Sequence, residues 1–464
     1  MSAVERKAAT REFDAIVVGA GQAGPPLAGR LTQAGRRVAL VERKLFGGTC
    51  VNTGCMPTKT LVASARAAHV ARRAADFGVL LDGEVRIDMA RVKARADTVI
   101  ANARSGVRGW LDGMDGCTVI EGHARFEDAR TLRVGDEAIS APQVFLDVGG
   151  RAVVPDMPGL QDIPYLTNTS ILALDRVPAH LVIIGGSYIG LEYAQMHRRF
   201  GAAVTVVEKG PRLIGREDAD VSDAVRDILA GEGIDIRTGV GDIAFGRDGG
   251  SIVATLDGDR VACSHVLVAV GRVPNTGDLG LDKAGVDTDA RGYIVVDDEL
   301  RTSAPGIWAL GDCNGRGAFT HTAYNDFEIV AANLLDGEQR RVSERIPDYA
   351  LFIDPPLGRV GITETEAAKS GRPYLVAKRP MGRVGRAVEK DETLGFMKVV
   401  VDAQTRAILG AAILGVEGDE AVHGIVDMMT AGASADRLQR TVPIHPTVSE
   451  LIPTLLSELR APES

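Results

Sequence analysis

Two cysteines five positions apart, Cys50 and Cys55, are the residues whose types and spacing most clearly suggest chemistry. An extended strand would separate them by roughly 16 Å, whereas a disulfide needs Cα atoms within about 7 Å. A regular helix would also hold them too far apart, so a redox pair requires a distorted turn, which Gly54 permits. Pro57 can then open a regular helix, and a thiolate at the start of that helix would be stabilised and reactive.

Two other interpretations of these cysteines remain open from the residues alone. They could be unrelated buried thiols, or they could form half of a metal site. A zinc site would need a second Cys or His pair at matching spacing. The remaining cysteines, Cys117, Cys263 and Cys313, stand alone in the sequence. We therefore expect no metal site and favour a redox pair.

Length and charge limit the classes of protein to which the chain can belong. At 464 residues it is too long for one hydrophobic core, so about three domains are expected. The net charge of −9 argues against nucleic acid or an anionic membrane as a partner. No apolar run approaches the length of a membrane span, and the N-terminus has no apolar signal core. We expect a cytoplasmic protein, in which a disulfide would be catalytic rather than structural.

A dinucleotide-binding pattern lies near the N-terminus. The apolar run 15–18 predicts a buried strand, and it leads into Gly19, Gly21 and Gly24 and then a helix. The next predicted strand ends at Glu42. The glycines allow the backbone to approach a pyrophosphate at a helix N-terminus, and Glu42 can bind ribose hydroxyls.

The same pattern recurs in the middle of the chain. An apolar strand leads into Gly185, Ser187 and Gly190, and the following strand ends at Glu208. In both copies the acid lies 23 residues after the first glycine, which indicates two units of one architecture rather than one site and one structural unit. A carboxylate at position 208 favours NADH over NADPH, although Lys209 and Arg212 leave NADPH open.

Together with four further segments, these motifs resemble the pyridine nucleotide–disulfide oxidoreductases that carry two redox cysteines. The segments are 122–126 (GHARF), 270–275 (VGRVPN), 302–312 (ending IWALGD) and 445–450 (HPTVSE). Glutathione reductase, dihydrolipoamide dehydrogenase, mercuric reductase and hypothiocyanous acid reductase belong to this family. The resemblance covers nearly the whole chain.

The resemblance implies an α/β fold with two Rossmann-like nucleotide-binding domains and a C-terminal α+β dimerisation domain. Residues 1–146 and 276–345 would form a split FAD-binding domain. Residues 147–275 would form the NAD(P)-binding domain, and 346–464 the dimer-interface domain. The family is homodimeric, and His445 and Glu450 would complete the site of the partner subunit.

The resemblance also implies roles for individual residues. The nicotinamide would reduce the flavin, and the flavin would reduce a Cys50–Cys55 disulfide through Cys55. Cys50 would then attack the substrate, and His445 would act as its acid–base, oriented by Glu450. Lys59 would lie beside the flavin and pair with Glu192, and Tyr188 would be a gate that swings aside for nicotinamide. The implied FAD contacts are Gly19, Gly21, Gly24, Glu42, Gly48, Thr49, Lys59, Ala124, Gly311 and Asp312, and the implied NAD(P)H contacts are Gly185, Tyr188, Ile189, Gly190, Glu208 and Gly271.

The chain most resembles mercuric reductase-like and hypothiocyanous acid reductase-like flavoproteins, but it lacks the C-terminal cysteine pair of mercuric reductase proper. The expected function is therefore NAD(P)H-dependent reduction of a small oxidised sulfur species, either a low-molecular-weight disulfide or hypothiocyanous acid. The alternatives are a dihydrolipoamide dehydrogenase, a mercuric reductase-like metal reductase, and a redox-sensing flavoprotein with little turnover. A basic cluster in the interface domain, formed by Lys378, Arg379, Arg383 and Arg386, is interpreted as a solvated face.

Overall fold

The structure is a computed structural model and describes residues 10–462. The chain divides into two compact units. The first contains the described residues up to 60 together with 93–153 and 271–345. The second contains 61–92, 154–270 and the chain from 346 onward.

A five-stranded parallel sheet forms the centre of the first unit. Its central strand, Ala15–Val18, is buried at every position, as expected for an apolar run covered on both faces. The strand order is Ile307–Ala309, Val144–Leu146, Ala15–Val18, Val38–Glu42, Cys117–Glu121. This sheet holds the first predicted glycine turn and Glu42 at the carboxyl ends of adjacent strands, where ligands bind in such sheets.

Two smaller sheets and several helices complete the first unit. The smaller sheets are Arg11–Glu12, Glu137–Ser140, Thr131–Val134 and Ala124–Phe126, and the antiparallel pair Arg272–Pro274 and Gly150–Ala152. Its helices and helical turns are Gly24–Gln33, Gly48–Thr53, Leu281–Ala284, Gly311–Asn314, Thr320–Ala331, Ala332–Asp336 and Val342–Glu344. Two longer helices, Cys55–Arg72 and Met89–Asp112, belong to this unit only up to residue 60 and from residue 93, respectively.

The second unit contains another five-stranded parallel sheet. Its strand order is Tyr165–Leu166, His265–Val268, His180–Ile184, Ala203–Glu208, Asp235–Thr238. An antiparallel sheet of Ile243–Asp248, Ser251–Leu256 and Asp259–Cys263 shares a hydrophobic core with it. The helices and helical turns of this part are Ala74–Phe77, Leu160–Asp162, Ser170–Ala173, Tyr188–Phe200 and Ala219–Gly231.

The second unit also contains an antiparallel sheet built from the C-terminal residues. Its strand order is Asp348–Leu351, Leu357–Gly361, Ile408–Leu414, Phe396–Asp402, Tyr374–Pro380. All seven residues of Phe396–Asp402 are buried, as expected for a largely apolar strand in the interior of this sheet. The associated helices and turns are Glu364–Lys369, Met381–Arg383, Gly385–Glu389, Gly418–Ala421, His423–Thr430, Ala435–Gln439, Ser449–Leu451 and Ile452–Ser457.

Three residues of the predicted basic cluster pair with acids rather than stand open for a ligand. Lys378 pairs with Asp220, Arg379 with Glu458 and Arg386 with Glu389. These pairs favour the interpretation of the cluster as part of the ordinary charged surface. Within residues 10–462, no helix is long and apolar enough to cross a membrane. The domain boundaries at 146, 275 and 345 stay a prediction.

His197 is a buried titratable group in the helix Tyr188–Phe200. It is 1% exposed and packs between the rings of Tyr193 and Phe200. Its Nδ1 lies 3.0 Å from the Tyr193 carbonyl oxygen, so Nδ1 carries the proton and donates to that oxygen. Burial lowers the pKa of His197 from 6.5 to about 4.

The depressed pKa of His197 predicts a loss of stability in acid. Between pH 6.5 and about 4, His197 is protonated in the unfolded chain but neutral in the folded protein. The free energy of unfolding therefore falls as the pH falls through this window. The total loss in the free energy of unfolding across this window is about 3 kcal/mol. Replacing the imidazole in His197→Phe should flatten the dependence of the melting temperature on pH between 7 and 4.5. The exposed His423→Gln is the control, and an unchanged pH dependence in His197→Phe would contradict the prediction.

Candidate active site

The cysteine pair spans a break between two helices. Gly48–Thr53 and Cys55–Arg72 are separated by Gly54, whose φ of −133° and ψ of −119° are not helical. A Cβ at Gly54 would lie 2.9 Å from the Thr49 carbonyl oxygen, so the break requires glycine. The distorted turn predicted at Gly54 is therefore present. The second helix begins at Cys55, two residues earlier than Pro57 suggested, and Pro57 lies in its first turn.

Cys50 and Cys55 are joined by a side-chain hydrogen bond, and the two sulfur atoms do not form a disulfide in the structure. This bond is the largest cause that raises the pKa of Cys50, followed by burial, while Thr320 and the positive charge of Lys59 oppose the rise. This bond and the burial of the sulfur therefore both favour retention of the proton on Cys50. Thr320 Oγ1 lies 3.3 Å from Cys55 Sγ, at the first residue of the helix Thr320–Ala331.

The first glycine turn brings three backbone segments into close contact. A Cβ at Gly19 would overlap the carbonyl oxygen of Asp147, and a Cβ at Gly24 would overlap the carbonyl oxygen of Gly19. Gly19 has a φ of +112°, which favours glycine for a second reason. Glu42 closes the turn, because its carboxylate accepts the N–H of Ala20 at 2.9 Å.

The second glycine turn repeats this geometry. Gly185 has a φ of +113°, and a Cβ there would overlap the carbonyl oxygen of Ala269. Glu208 accepts the N–H of Gly186 at 2.7 Å, as Glu42 does in the first copy. The prediction of two units with one architecture is confirmed by these matching contacts.

Ser187 replaces the middle glycine in the second copy without strain, since its φ is −117°. The same replacement in the first copy would require the Asp147 side chain to shift. A Cβ at Gly21 would lie 2.8 Å from the Asp147 carboxylate, whereas the corresponding position in the second copy is Ala269. The difference between the two fingerprints follows from this one acid.

Arg272 joins three of the segments around the first turn, and sequence reasoning did not select it. Its Nη2 donates to Thr49 Oγ1 at 3.2 Å and to the Gly150 carbonyl oxygen at 2.5 Å. Its Nε lies 3.5 Å from Asp312 Oδ2. Its place directly after Gly271, at the start of a short strand, was the only signal for it.

Asp147 is a second residue that the sequence did not indicate. Its carboxyl group accepts the N–H of Gly24 at 2.9 Å and of Ala23 at 3.3 Å, at the start of the helix Gly24–Gln33. Burial, helped by the charges of Asp312 and Glu42 and opposed by the hydrogen bonds from Gly24 and Ala23, raises the pKa of Asp147 to about 8. The group is therefore a neutral acid at neutral pH.

Two of the remaining predicted FAD contacts, Gly48 and Gly311, lie against residues of the same turn. Gly311 has a φ of +70°, and its N–H donates to Asp326 Oδ2 at 2.8 Å. Ala124 is buried on the strand Ala124–Phe126. Gly48 lies so close to Gly21 that a Cβ on Gly48 would be 2.9 Å from the Gly21 Cα.

The predicted NAD(P)H contacts lie mainly at the second turn. Tyr188 and Ile189 are half-buried in the first turn of the helix Tyr188–Phe200, which also contains Gly190 and Glu192. Glu192 is 5% exposed, and its Oε1 accepts the N–H of Phe352 at 3.1 Å. The ion pair between Glu192 and Lys59 stays a prediction. Gly271 belongs instead to the first unit, where its φ is +128°.

His445 and Glu450 form the pair that the sequence predicts. His445 Nδ1 lies 2.8 Å from Glu450 Oε2, while the imidazole is 79% exposed and the carboxylate 14%. The carboxylate thereby fixes which ring nitrogen is turned inward and leaves Nε2 for proton transfer. Two neighbouring apolar side chains, Val442 and Ile444, are also highly exposed.

Comparison with known families identifies the class of protein. The family model described as "Pyridine nucleotide-disulphide oxidoreductase" matches residues 13–326, and the dimerisation domain of the same family matches residues 347–456. The chain belongs to this family. The predicted fold class, with two nucleotide-binding domains and a dimerisation domain, is confirmed.

Individual relatives of this oxidoreductase have several activities. It is 35% identical to the probable pyridine nucleotide-disulfide oxidoreductase RclA of Escherichia coli, with 96% of this chain and 99% of the relative covered. It is 34% identical to a mercuric reductase of Streptomyces lividans, with coverage of 95% and 94%. It is 35% identical to dihydrolipoyl dehydrogenase 2 of Haloarcula marismortui, with 96% of each chain covered.

A solved structure extends the comparison to three dimensions. The Cu(II) complex of the HOCl-induced flavoprotein disulfide reductase RclA from Escherichia coli superposes with a TM-score of 0.89 at 34% identity, covering 97% of this chain and 99% of that one. The family implies FAD and NAD(P)H as cofactors, and the dimerisation domain points to a homodimer.

The residues present fit both cofactors. In the first turn, side chains on Gly21 or Gly48 would fill the cradle where a pyrophosphate must approach the backbone. In the second, a Cβ at Gly186 would lie 2.6 Å from Leu213 Cδ2 and 3.0 Å from Glu208 Cβ. Both turns end at a carboxylate suited to a ribose.

The first prediction from this site concerns Thr320. Removing its hydroxyl in Thr320→Val takes a hydrogen bond from the thiolate, so the pair in the reduced enzyme should react with iodoacetamide at pH 7 about tenfold more slowly. Mass spectrometry of the peptide that contains Cys50 and Cys55 measures the rate. Thr430→Val, at an exposed helix end, is the control. An unchanged rate in Thr320→Val would show that this hydroxyl does not tune the pair.

The second prediction concerns Asp147. Its pKa is raised from 3.8 to about 8, so the stabilisation from the neutral acid is lost as the pH rises through 8. The new carboxylate would also repel bound phosphates, so FAD should be released faster at pH 9 than at pH 7. Asp147→Asn keeps the shape without the charge and should remove this acceleration, as followed by FAD fluorescence. The exposed Asp136→Asn should behave as the unsubstituted protein, and equal acceleration in all three proteins would refute the role of Asp147.

Proposed function

We propose that this oxidoreductase uses NADH and FAD to reduce a small oxidised sulfur species through the Cys50–Cys55 dithiol. The observation that carries the proposal is the hydrogen bond between these thiols, with Thr320 and Lys59 nearby to favour negative charge. When bound, FAD would supply the electron transfer between nicotinamide and sulfur.

The exchange itself needs only the side chains of this chain. Cys50 gives its proton to His445, attacks one sulfur of a disulfide RSSR as the thiolate and forms a mixed disulfide, and the first RS⁻ leaves and takes up that proton. Cys55 then attacks the sulfur of Cys50, the second RS⁻ leaves, and the Cys50–Cys55 disulfide closes. The two sulfur atoms of the substrate gain two electrons, and the two cysteines lose them.

The leaving thiolates require a proton, and His445 is suited to supply it. The hydrogen bond to Glu450 fixes the orientation of the ring. Because the ring is exposed, it can donate a proton in the active site of a second copy in a homodimer. The exposed Val442 and Ile444 beside it would be covered in such a dimer.

Glu208 supports NADH as the donor. Its carboxylate is held at the strand end by the N–H groups of Gly186 and Gly210, both at 2.7 Å. A carboxylate fixed there accepts hydrogen bonds from a ribose 2′-hydroxyl and repels a 2′-phosphate. A dithiol that must stay reduced also supports a cytoplasmic location.

The choice of substrate follows from the relatives and the cysteines together. RclA is described as an HOCl-induced disulfide reductase, and oxidised sulfur species are the substrates that a Cys/Cys/His/Glu set handles directly. The dihydrolipoyl dehydrogenases among the relatives make dihydrolipoamide oxidation with NAD⁺ the second candidate.

Turnover with a panel of oxidants tests the proposal. The protein is reduced anaerobically with NADH or NADPH and then given glutathione disulfide, lipoamide, hypothiocyanous acid or Hg(II). We expect turnover of a sulfur oxidant, with NADH preferred. Cys50→Ser and Cys55→Ser should abolish it, and His445→Gln should lower it by about 100-fold or more.

Cys117→Ser is the matched control, because Cys117 is a lone half-buried cysteine on a strand. The proposal fails if the cysteine variants turn over the same oxidants as Cys117→Ser. Rapid Hg(II) turnover without turnover of any sulfur oxidant would also overturn it.

A further inference from the structure

A buried polar cluster lies directly against Tyr188, the predicted nicotinamide gate. The ring of Tyr349 meets the ring of Tyr188 edge-on, with centroids 5.4 Å apart and an interplanar angle of 78°. Their hydroxyl groups are hydrogen-bonded to each other. The Tyr349 hydroxyl also bonds to Glu217 Oε1.

Tyr349 bonds to one member of a buried ion pair, which is formed by Glu217 and Arg359. Arg359 is 2% exposed and Glu217 is 9% exposed. Arg359 Nε lies 4.0 Å from Glu217 Oε2, which is beyond hydrogen-bond distance. Within the described residues, Glu217 Oε2 and Arg359 Nη2 have no hydrogen-bond partner. Glu217 therefore depends on Tyr349 for its hydrogen bond.

The donor and acceptor in each of these hydrogen bonds follow from the strength of the acceptors. One hydroxyl has one proton, and the carboxylate of Glu217 is a stronger acceptor than a phenol oxygen. Tyr349 accordingly donates to Glu217, and Tyr188 donates to Tyr349. Burial, followed by the charge of Glu217, raises the pKa of Tyr349, so its proton is retained.

We propose that Tyr349 is a positioning residue that holds the Tyr188 ring in its resting place through a hydroxyl chain ending on Glu217 and Arg359. A bond to an already polarised hydroxyl is stronger than one to an isolated phenol. Displacement of Tyr188 by a nicotinamide must break this bond, while binding of the adenosine half of the cofactor need not. These hydrogen bonds would therefore determine the free energy needed to displace Tyr188, and so how much weaker NADH binds than it would to a protein whose gate is already open. This inference rests on the proposed role of Tyr188 as the gate.

The experiment compares two ligands in the FAD-loaded protein. NADH carries a nicotinamide, whereas ADP-ribose carries only the part that would reach Glu208. Tyr349→Phe keeps the ring contact but removes the hydroxyl, so the dissociation constant for NADH should fall about fivefold. The dissociation constant for ADP-ribose should not change. Stopped-flow flavin reduction at varied NADH concentration separates this binding effect from the limiting rate constant, which should stay unchanged.

A double-mutant cycle separates anchoring from general damage. Tyr188→Phe should have the same effect on NADH binding as Tyr349→Phe, and the double variant should show no further change, because both remove the bond between the two tyrosine hydroxyls. Tyr374→Phe, on another strand of the same sheet, is the control for losing a tyrosine hydroxyl. Additive effects, or an equal change for ADP-ribose, would overturn the inference.

A variant without the ring distinguishes this failure from failure of the proposed function. If Tyr188→Ala leaves the NADH affinity unchanged relative to ADP-ribose, Tyr188 is not a gate and this inference falls, whereas the proposed function is decided separately by the oxidant panel with the Cys50 and Cys55 variants. If Tyr188→Ala tightens NADH binding while Tyr349→Phe does not, the gate stands and the anchor is refuted.

Discussion

The close approach of backbone at the two glycine turns is the constraint on which the nucleotide-binding geometry depends. At Gly19 and Gly185 the turn passes so near the next parallel strand that no side chain fits between them. Each turn is then closed from the other side by a carboxylate, Glu42 or Glu208, that accepts a backbone N–H. Each carboxylate therefore lies at the end of a strand, where a ribose binds in sheets of this kind.

The two turns nonetheless differ in a way that affects their chemistry. Asp147 places an acid against the first helix, where Ala269 stands in the second copy. That acid excludes a side chain at Gly21 and is held neutral by its burial. The second copy has no such acid, and Ser187 is accepted there with ordinary backbone angles.

Buried charges organise the second unit. Lys398 is 3% exposed and contacts the carboxylates of Asp218, Asp220 and Glu364. The side chain of Arg199 is 5% exposed and pairs with Glu232 and Asp354. Breaking such a pair by removing one partner is costly, because it leaves an unpaired buried charge. The Glu217–Arg359 pair differs because it is longer. Within the described residues, Glu217 Oε2 and Arg359 Nη2 have no hydrogen-bond partner, while Tyr349 bonds to the other carboxylate oxygen of Glu217.

The sequence by itself determined the elements that depend on neighbours along the chain. The helix break at Gly54, both glycine turns with their terminal acids, and the His445–Glu450 pair were all predictable, because residues within a few positions of each other, or within one βαβ unit, fix them. Only the tertiary structure decided the contacts that join distant segments: Thr320 on Cys55, Arg272 on Thr49, Asp147 on Gly24 and Tyr349 on Tyr188. These partners lie between about 120 and 265 residues apart, and no local pattern encodes which strand or helix will pack against another.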